Sequence, residues 1–117
     1  MEMVQLNRAV IRGIVGNVRL TTVGDTKVAR MTVATNYAYR AKDGSCVIST
    51  DWHNVVLFEG RSISGLEEVS KGDKVHIEGR IRNQRYTGAD GVERTSTEIL
   101  AQKFERIVSD EPLRMEV

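Results

Sequence analysis

The segment KVHIEGRIRNQRY, residues 74–86, alternates between apolar and polar side chains, and this alternation constrains the fold more than any other feature. Successive side chains of a β-strand point to opposite faces, so Val75, Ile77 and Ile81 share one side of an extended chain. The other side carries His76, Glu78, Arg80, Arg82 and Tyr86. A strand with one buried face and one solvent-facing side is therefore predicted, with a bulge or sharp bend at Gly79.

The rest of the chain also has the texture of a β-protein. Segments rich in β-branched and apolar residues predict further strands over residues 4–15, 26–36, 49–58 and 95–108. The intervening segments RAKDGS and TGADGVER contain Asp-Gly pairs, which favour tight turns, so both are predicted to be hairpin loops.

Between the third and fourth strands, Ile63, Leu66 and Val69 recur every three residues, and this spacing predicts one short helix in spite of Gly65. Five strands with one short helix in that position is the element order of the OB-fold. The OB-fold is an all-β, five-stranded Greek-key barrel that binds oligonucleotides across strands 2 and 3. An SH3-like barrel or a small sandwich remains compatible with the same pattern.

Length and composition limit the class of protein. A chain of 117 residues, 40% hydrophobic and 28% charged, has room for one globular domain. It contains no apolar run long enough to cross a membrane, and its N-terminus does not resemble a signal peptide. Cys46 is the only cysteine, so neither an internal disulfide nor a cysteine-based metal site is expected. We therefore expect a cytoplasmic protein.

Motifs of catalysis are missing from the sequence. There is no glycine-rich phosphate loop, nucleophile elbow, HExxH pair or paired-cysteine motif. His76 has no metal-ligand partner at a useful spacing, so it is interpreted as a solvated histidine of the strand. The sequence thus predicts a protein that is not an enzyme and that uses no cofactor or metal.

The polar faces of two predicted strands indicate a binding function. One face of the third strand carries Trp52, Asn54, Val56 and Phe58, and one face of the fourth carries Arg80, Arg82 and Tyr86. Aromatic rings beside guanidinium groups suit single-stranded nucleic acid, because bases stack on rings while basic groups contact phosphates. The alternative for Trp52 is a place in the hydrophobic core.

The strings TDWHNVVLF, KGDKVHIEGRIRNQRY and RTSTEILA resemble the bacterial single-stranded DNA-binding protein (SSB) family. The resemblance begins near LNRAVIRGIVG, continues through GDTKVARMTVATN and covers roughly residues 6–107. It implies an OB-fold that binds single-stranded DNA without sequence preference in replication, recombination and repair. It also implies a homo-oligomer, usually a tetramer, associated with the bacterial nucleoid.

The resemblance also implies roles for individual residues. Trp52 and Phe58 match base-stacking aromatics, while Tyr39 and Tyr86 occupy positions where the family often has tryptophan. His53 resembles a histidine at the subunit interface of the family. The basic residues near the implied DNA path are Arg8, Arg19, Arg40, Lys71, Arg82 and Arg85, with Arg80 at a position that is frequently neutral in the family.

Two features depart from the family pattern. Residues 1–108 are predicted to form the binding domain and residues 109–117 a short tail, SDEPLRMEV, in which the acidic bias comes from Asp110, Glu111 and Glu116. The tail lacks the acidic tip through which the family recruits repair enzymes, so recruitment by that route is not expected. Arg12 stands where the family usually has an aliphatic residue, and three roles are open for it: solvent exposure, a subunit contact or a phosphate contact.

Two other functions remain open on the sequence. The first is a dimeric adaptor at restarting replication forks, like the tailless primosomal relative of this family. The second is a protein–protein assembly module, which predicts that Trp52 is buried between subunits.

Overall fold

Each predicted strand is present in the computed structural model, which describes residues 2–115. Met1, Glu116 and Val117, and with them the end of the predicted tail, lie outside the described residues. The first strand begins at Ala9 and not at residue 4, and the fifth ends at Arg106 and not at residue 108, so these two bounds were predicted wrongly. Most strand ends that lead into a hairpin extend further than predicted. Their bounds are β1 Ala9–Val23, β2 Thr26–Arg40, β3 Cys46–Phe58, β4 Lys74–Thr87 and β5 Glu93–Arg106.

The strands close into a barrel in the order β1-β2-β3-β5-β4. All neighbouring pairs are antiparallel except β3 and β5, which meet in parallel register at Val55↔Ile99 and Val56↔Leu100. The first half of β1 pairs with β4 and its second half with β2, so β1 closes the barrel. This topology confirms the predicted OB-fold.

Gly79 lies where the β4–β5 register shifts, as the sequence predicted. A Cβ atom at this position would lie 2.1 Å from the carbonyl oxygen of Leu100, which is closer than any side chain tolerates. The missing side chain therefore lets β4 and β5 approach each other where the barrel closes.

The core is formed by the inward faces of the five strands. Its fully buried side chains include Val15, Val33, Val55, Leu57, Val75 and Ile77. Val75 and Ile77 are buried, as predicted for the apolar face of β4, whereas Ile81 of the same predicted face is 45% exposed.

The predicted short helix between β3 and β4 is present as a 3-10 helix. The segment forms only a three-residue 3-10 turn, Leu66–Glu68, and Gly65 before it adopts a positive φ of 72°. Nevertheless, Ile63, Leu66 and Val69 are all buried against the barrel. A three-residue spacing matches the period of a 3-10 helix, and the glycine-rich and serine-rich surroundings disfavour a longer α-helix.

Asp-Gly turns close the two longer hairpins, as predicted. In the β2–β3 turn, Gly44 has a φ of 88° and the Asp43 carboxylate accepts hydrogen bonds from the backbone N–H (2.9 Å) and hydroxyl (2.6 Å) of Ser45. These bonds lower the pKa of Asp43. Gly91 has a φ of 79° in the β4–β5 turn. Within residues 2–115, no helix has the length and apolar character needed to cross a membrane.

Candidate functional site

The outer face of β2 and β3, which is the side away from the core, carries the aromatic residues singled out in β3. Trp52 and Phe58 alternate with the buried Val55 and Leu57, so Trp52, Asn54, Val56 and Phe58 share one face as predicted. Six residues separate Trp52 from Phe58, which corresponds to about 20 Å along an extended strand.

Trp52 is not a core residue, because 60% of it is exposed to solvent. Its six-membered ring lies over Gly16 of β1, where a Cβ atom would come within 2.5 Å of the ring atom Cζ3. Gly16 stands in the register shift between Val15 and Val18. The ring can therefore lie against β1 because position 16 has no side chain.

Beside Trp52, a groove of about 620 Å³ crosses the outer faces of β1, β2, β3 and β5. Arg19 and Arg30 contribute guanidinium groups to it, and Thr32, Asn54 and Ser96 contribute uncharged polar groups. The groove thus offers basic and neutral hydrogen-bonding groups along one path. Both types of group are needed to contact the phosphates and the bases of a nucleic acid strand.

Glu98 lies at the floor of this groove, and only 4% of it is exposed. Its carboxylate accepts hydrogen bonds from Nε (2.9 Å) and Nη2 of Arg82 and from Nη1 of Arg30 (3.4 Å). The sequence analysis missed this residue. Glu98 and Arg30 are 68 positions apart, so no local pattern indicates that they meet.

On β4, the register places Arg80, Arg82 and Tyr86 on one face, opposite Leu100, Glu98 and Arg94 of β5. This agrees with the prediction. Tyr86 is 50% exposed on the part of the β4–β5 hairpin that projects beyond the barrel.

Arg85 projects from the opposite face of β4, and its Nη1 lies 3.7 Å from Oε1 of Glu93. The predicted basic residues thus do not all line one groove.

The remaining basic candidates differ in their partners. Arg8 donates to Oε1 of Glu78 at 2.9 Å. The candidates without an ion-pair partner among the described residues are Arg19 in the groove, Arg40 at the end of β2, Lys71 in the turn before β4, and Arg80.

Tyr39 lies on the other face of the β2–β3 hairpin from Trp52. It pairs with Val47, whereas Trp52 pairs with Ala34, and odd and even positions of β2 point to opposite sides. Tyr37 shares the face of Tyr39, and the two ring centroids lie 6.2 Å apart. The sequence analysis did not include Tyr37, although two aromatic residues at i and i+2 on a strand were a usable signal.

His53, the residue matched to a subunit interface, is half-buried and pairs with Val33 of β2. Its Nε2 lies 2.8 Å from Oγ1 of Thr35 in the same chain. This bond fixes the orientation of the ring.

A second polar network covers the outside of β1 and β4. Arg12 donates from Nε to Nδ1 of His76 (3.3 Å), and Nε2 of His76 lies 2.9 Å from Oε2 of Glu78. Nδ1 of His76 thus faces the Arg12 guanidinium, and Nε2 faces the Glu78 carboxylate.

The pKa of Glu78 is lowered chiefly by the hydrogen bond from His76, and further by Arg8 and Lys103. The prediction of a solvated His76 is wrong, since only 14% of its side chain is exposed and the ring has two partners. Within residues 2–115, no three His, Cys, Asp or Glu side chains are grouped so as to hold a metal ion.

A sequence model described as "Single-strand binding protein family" matches residues 6–107. Curated relatives include a single-stranded DNA-binding protein of Xanthomonas axonopodis pv. citri, 33% identical over 105 residues, and one of Neisseria meningitidis, 31% identical over 105 residues. Each alignment covers 87% of this chain, and the chain spans 58% and 60% of these relatives' lengths.

Solved structures give the same fold. A Plasmodium falciparum SSB in complex with ssDNA matches with a TM-score of 0.78 and 25% identity, over 94% of this chain and 100% of the other. A deletion mutant of the single-stranded DNA binding protein from Thermus aquaticus matches with a TM-score of 0.72 and 20% identity, over 90% of this chain and 52% of the other.

Proposed function

The chain belongs to the single-strand binding protein family, and we propose that it binds single-stranded DNA without preference for base sequence. The observation that carries this proposal is the exposed ring of Trp52, which is held against β1 beside a groove with basic and neutral polar groups. An aromatic ring that is exposed in spite of its apolar area is suited to stacking with a base.

Two kinds of contact bind the strand. Bases stack on Trp52, Phe58 and Tyr86 on outer faces and on Tyr39 on the hairpin. Phosphates are neutralised by Arg8, Arg19, Arg40, Lys71, Arg80, Arg82 and Arg85. Arg82 is the most constrained of these, because a phosphate has to compete with the buried carboxylate of Glu98. Arg8 and Arg85 are held only by more exposed pairs, which contribute little and exchange readily.

The family consists of DNA-binding proteins rather than enzymes, and this confirms the prediction of a non-enzymatic protein. Neither the adaptor role nor the assembly module is favoured by these relatives. We place the activity in replication, recombination and repair in the bacterial cytoplasm, with residues 1–108 as the binding domain.

We propose that the chain forms a homo-oligomer, and specifically a tetramer. In support, the outer face of β1 exposes Val10 (51%) and Ile14 (41%), which are apolar side chains on a regular strand. His53 lines the same surface depression as these two residues, which agrees with a place near a subunit contact. Light scattering of the purified protein measures the mass and distinguishes a tetramer from a dimer.

The function is tested by anisotropy titration of fluorescein-labelled dT oligonucleotides with wild type, Trp52→Ala and Tyr86→Ala. Loss of one stacking contact, worth about 1–3 kcal/mol, is expected to weaken binding about 5- to 150-fold. The control is Val108→Ala, which trims a side chain 90% exposed beyond β5 and should bind like wild type. If both aromatic variants are folded and bind as tightly as wild type, the stacking mechanism is refuted.

A further inference from the structure

The β2–β3 hairpin projects beyond the barrel as an arm with two open faces. Residues 36–40 pair with residues 46–50, and among residues 2–115 no third strand pairs with either segment. We call residues 36–50 the hairpin arm. Because neither face is covered by a neighbouring strand, side chains on both faces are available to a ligand.

One face of the hairpin arm carries two stacked tyrosine rings. Tyr37 and Tyr39 have ring centroids 6.2 Å apart and an interplanar angle of 28°, and they remain 42% and 45% exposed. They project side by side because residues i and i+2 of a strand share a face. Their cross-strand partners, Ser49 and Val47, are smaller and leave the rings accessible.

The charges on the arm favour a ligand that combines planar rings with negative charge. Arg40 and Lys42 lie at the end of the arm, and neither has an ion-pair partner among the described residues. The carboxylate of Asp43 is occupied by two hydrogen bonds from Ser45. By the register of β2, Arg40 projects from the face opposite to the tyrosines, whereas Lys42 lies in the turn that ends the arm. Near-parallel aromatic rings on an arm that ends in unpaired cations are complementary to nucleotides, whose bases stack on rings while their phosphates meet cations.

We propose that Tyr37 extends the stacking already proposed for Tyr39 into a second base-stacking surface, on the face of the hairpin arm opposite to Trp52. This inference rests on the proposed binding of single-stranded DNA and adds Tyr37 to it. A strand that occupies the groove and also stacks on the tyrosines has to pass around an edge of the arm. The contribution of Tyr37 therefore increases with the length of the strand.

The length dependence provides the test. Labelled dT oligonucleotides of about 4 to about 16 nucleotides, the range of site sizes for one OB-fold, are titrated with wild type and Tyr37→Ala. Tyr37→Ala is expected to weaken binding of the longer strands about fivefold or more and to leave the shortest strands unaffected. Tyr37→Phe keeps the ring and is expected to bind like wild type. Ile48→Ala removes a 58% exposed side chain from the other face of the arm and controls for stability of the arm.

A second measurement needs no variant. Wild type is irradiated with a long strand that contains 5-iodouracil, and trypsin then separates the two faces. Tyr37 and Tyr39 fall on the peptide of residues 31–40, whereas Trp52 and Phe58 fall on the peptide of residues 43–61. Cross-links on the 31–40 peptide support the proposal.

The outcomes separate this inference from the proposed function. The second stacking surface is overturned if Tyr37→Ala keeps its affinity at every strand length, or if the cross-links are confined to other peptides. In either case, the titration of Trp52→Ala still tests the proposed function independently. A loss in Tyr37→Phe equal to that in Tyr37→Ala also overturns it, because the hydroxyl rather than the ring would then act. A folded wild type that fails to bind dT at low salt overturns the proposed function and this inference together.

Discussion

Gly16→Ala tests the position of the Trp52 ring without changing Trp52 itself. The added Cβ atom would lie 2.5 Å from Cζ3 and 3.1 Å from Cη2 of Trp52, and 2.8 Å from Oγ1 of Thr32. The 2.5 Å separation from a ring carbon and the 2.8 Å separation from the hydroxyl oxygen are both too short for a van der Waals contact. Gly16 has no positive φ, so alanine fits the backbone and the side chains have to move.

The cost to the fold is expected to be small. The Trp52 ring is 60% exposed and can swing into solvent. Thr32 has to shift its hydroxyl, which accepts a hydrogen bond from the backbone N–H of Asn17 at 3.0 Å. Loss of one such bond costs about 1 kcal/mol, which lowers the melting temperature of a chain of this length by about 4 °C.

The cost to binding is expected to be larger. A displaced ring no longer stacks with a base at the same place, so affinity for dT falls by up to the full stacking energy of about 1–3 kcal/mol, or about 5- to 150-fold. Trp52 is the only tryptophan, so its emission spectrum and its quenching by acrylamide report the ring environment directly. A ring that swings off β1 becomes more accessible to the quencher.

Two other glycines are matched controls. A Cβ atom at Gly60 meets nothing within 4 Å, so Gly60→Ala should change neither stability nor affinity. At Gly79 the obstacle is the backbone oxygen of Leu100, so Gly79→Ala should lower stability instead. Unchanged quenching and affinity in folded Gly16→Ala would refute the placement of the ring over β1. A displaced ring with unchanged affinity would refute the stacking role of Trp52.

Two further predictions concern buried and paired charges. Glu98→Gln removes the counter-ion of Arg30 and Arg82 and frees both to contact phosphates, so binding of dT should become more salt-dependent. The slope of log K against log salt should steepen by about 0.7 for each additional phosphate contact. An unchanged slope in a folded variant contradicts this prediction. The pKa of Glu78 is lower in the folded chain than in the unfolded one. The ionised carboxylate therefore contributes its full stabilisation at pH values above the unfolded-state pKa, about 4.3. This stabilisation is lost as the pH falls through the folded-state pKa. Melting curves between neutral and acidic pH should therefore show a smaller acid-induced loss for Glu78→Gln than for wild type, and equal losses would refute the assignment.

The alternation of side chains predicted the faces of β3 and β4 correctly, because the period of a strand is independent of its partners. Between β3 and β4, the three-residue spacing of Ile63, Leu66 and Val69 correctly predicted a short helix and its buried side chains. The spacing did not give the type or length of this helix, which is a three-residue 3-10 turn after Gly65.

The candidate site was predictable only in part. Local pattern and family resemblance together nominated Trp52 and Tyr86, and the structure exposes both side chains. Glu98 was not found, because its burial depends on arginines from two other strands that the barrel brings together. The opposite orientations of Tyr39 and Trp52 also depend on the cross-strand register, which a single sequence does not contain.

These pairings change the expected electrostatics of binding. The sequence offers seven basic residues for phosphates, and seven contacts to a single strand would give a salt slope of about −5. Arg82, however, bonds a carboxylate that is 4% exposed, and a phosphate that displaced the carboxylate would leave this buried charge with only the 3.4 Å bond from Arg30. A phosphate contact to Arg85 has no comparable cost, because the ion pair of Arg85 with Glu93 is exposed to solvent and its nitrogen and oxygen are 3.7 Å apart. Without a contact from Arg82, the other six of these residues give a slope of about −4 per chain.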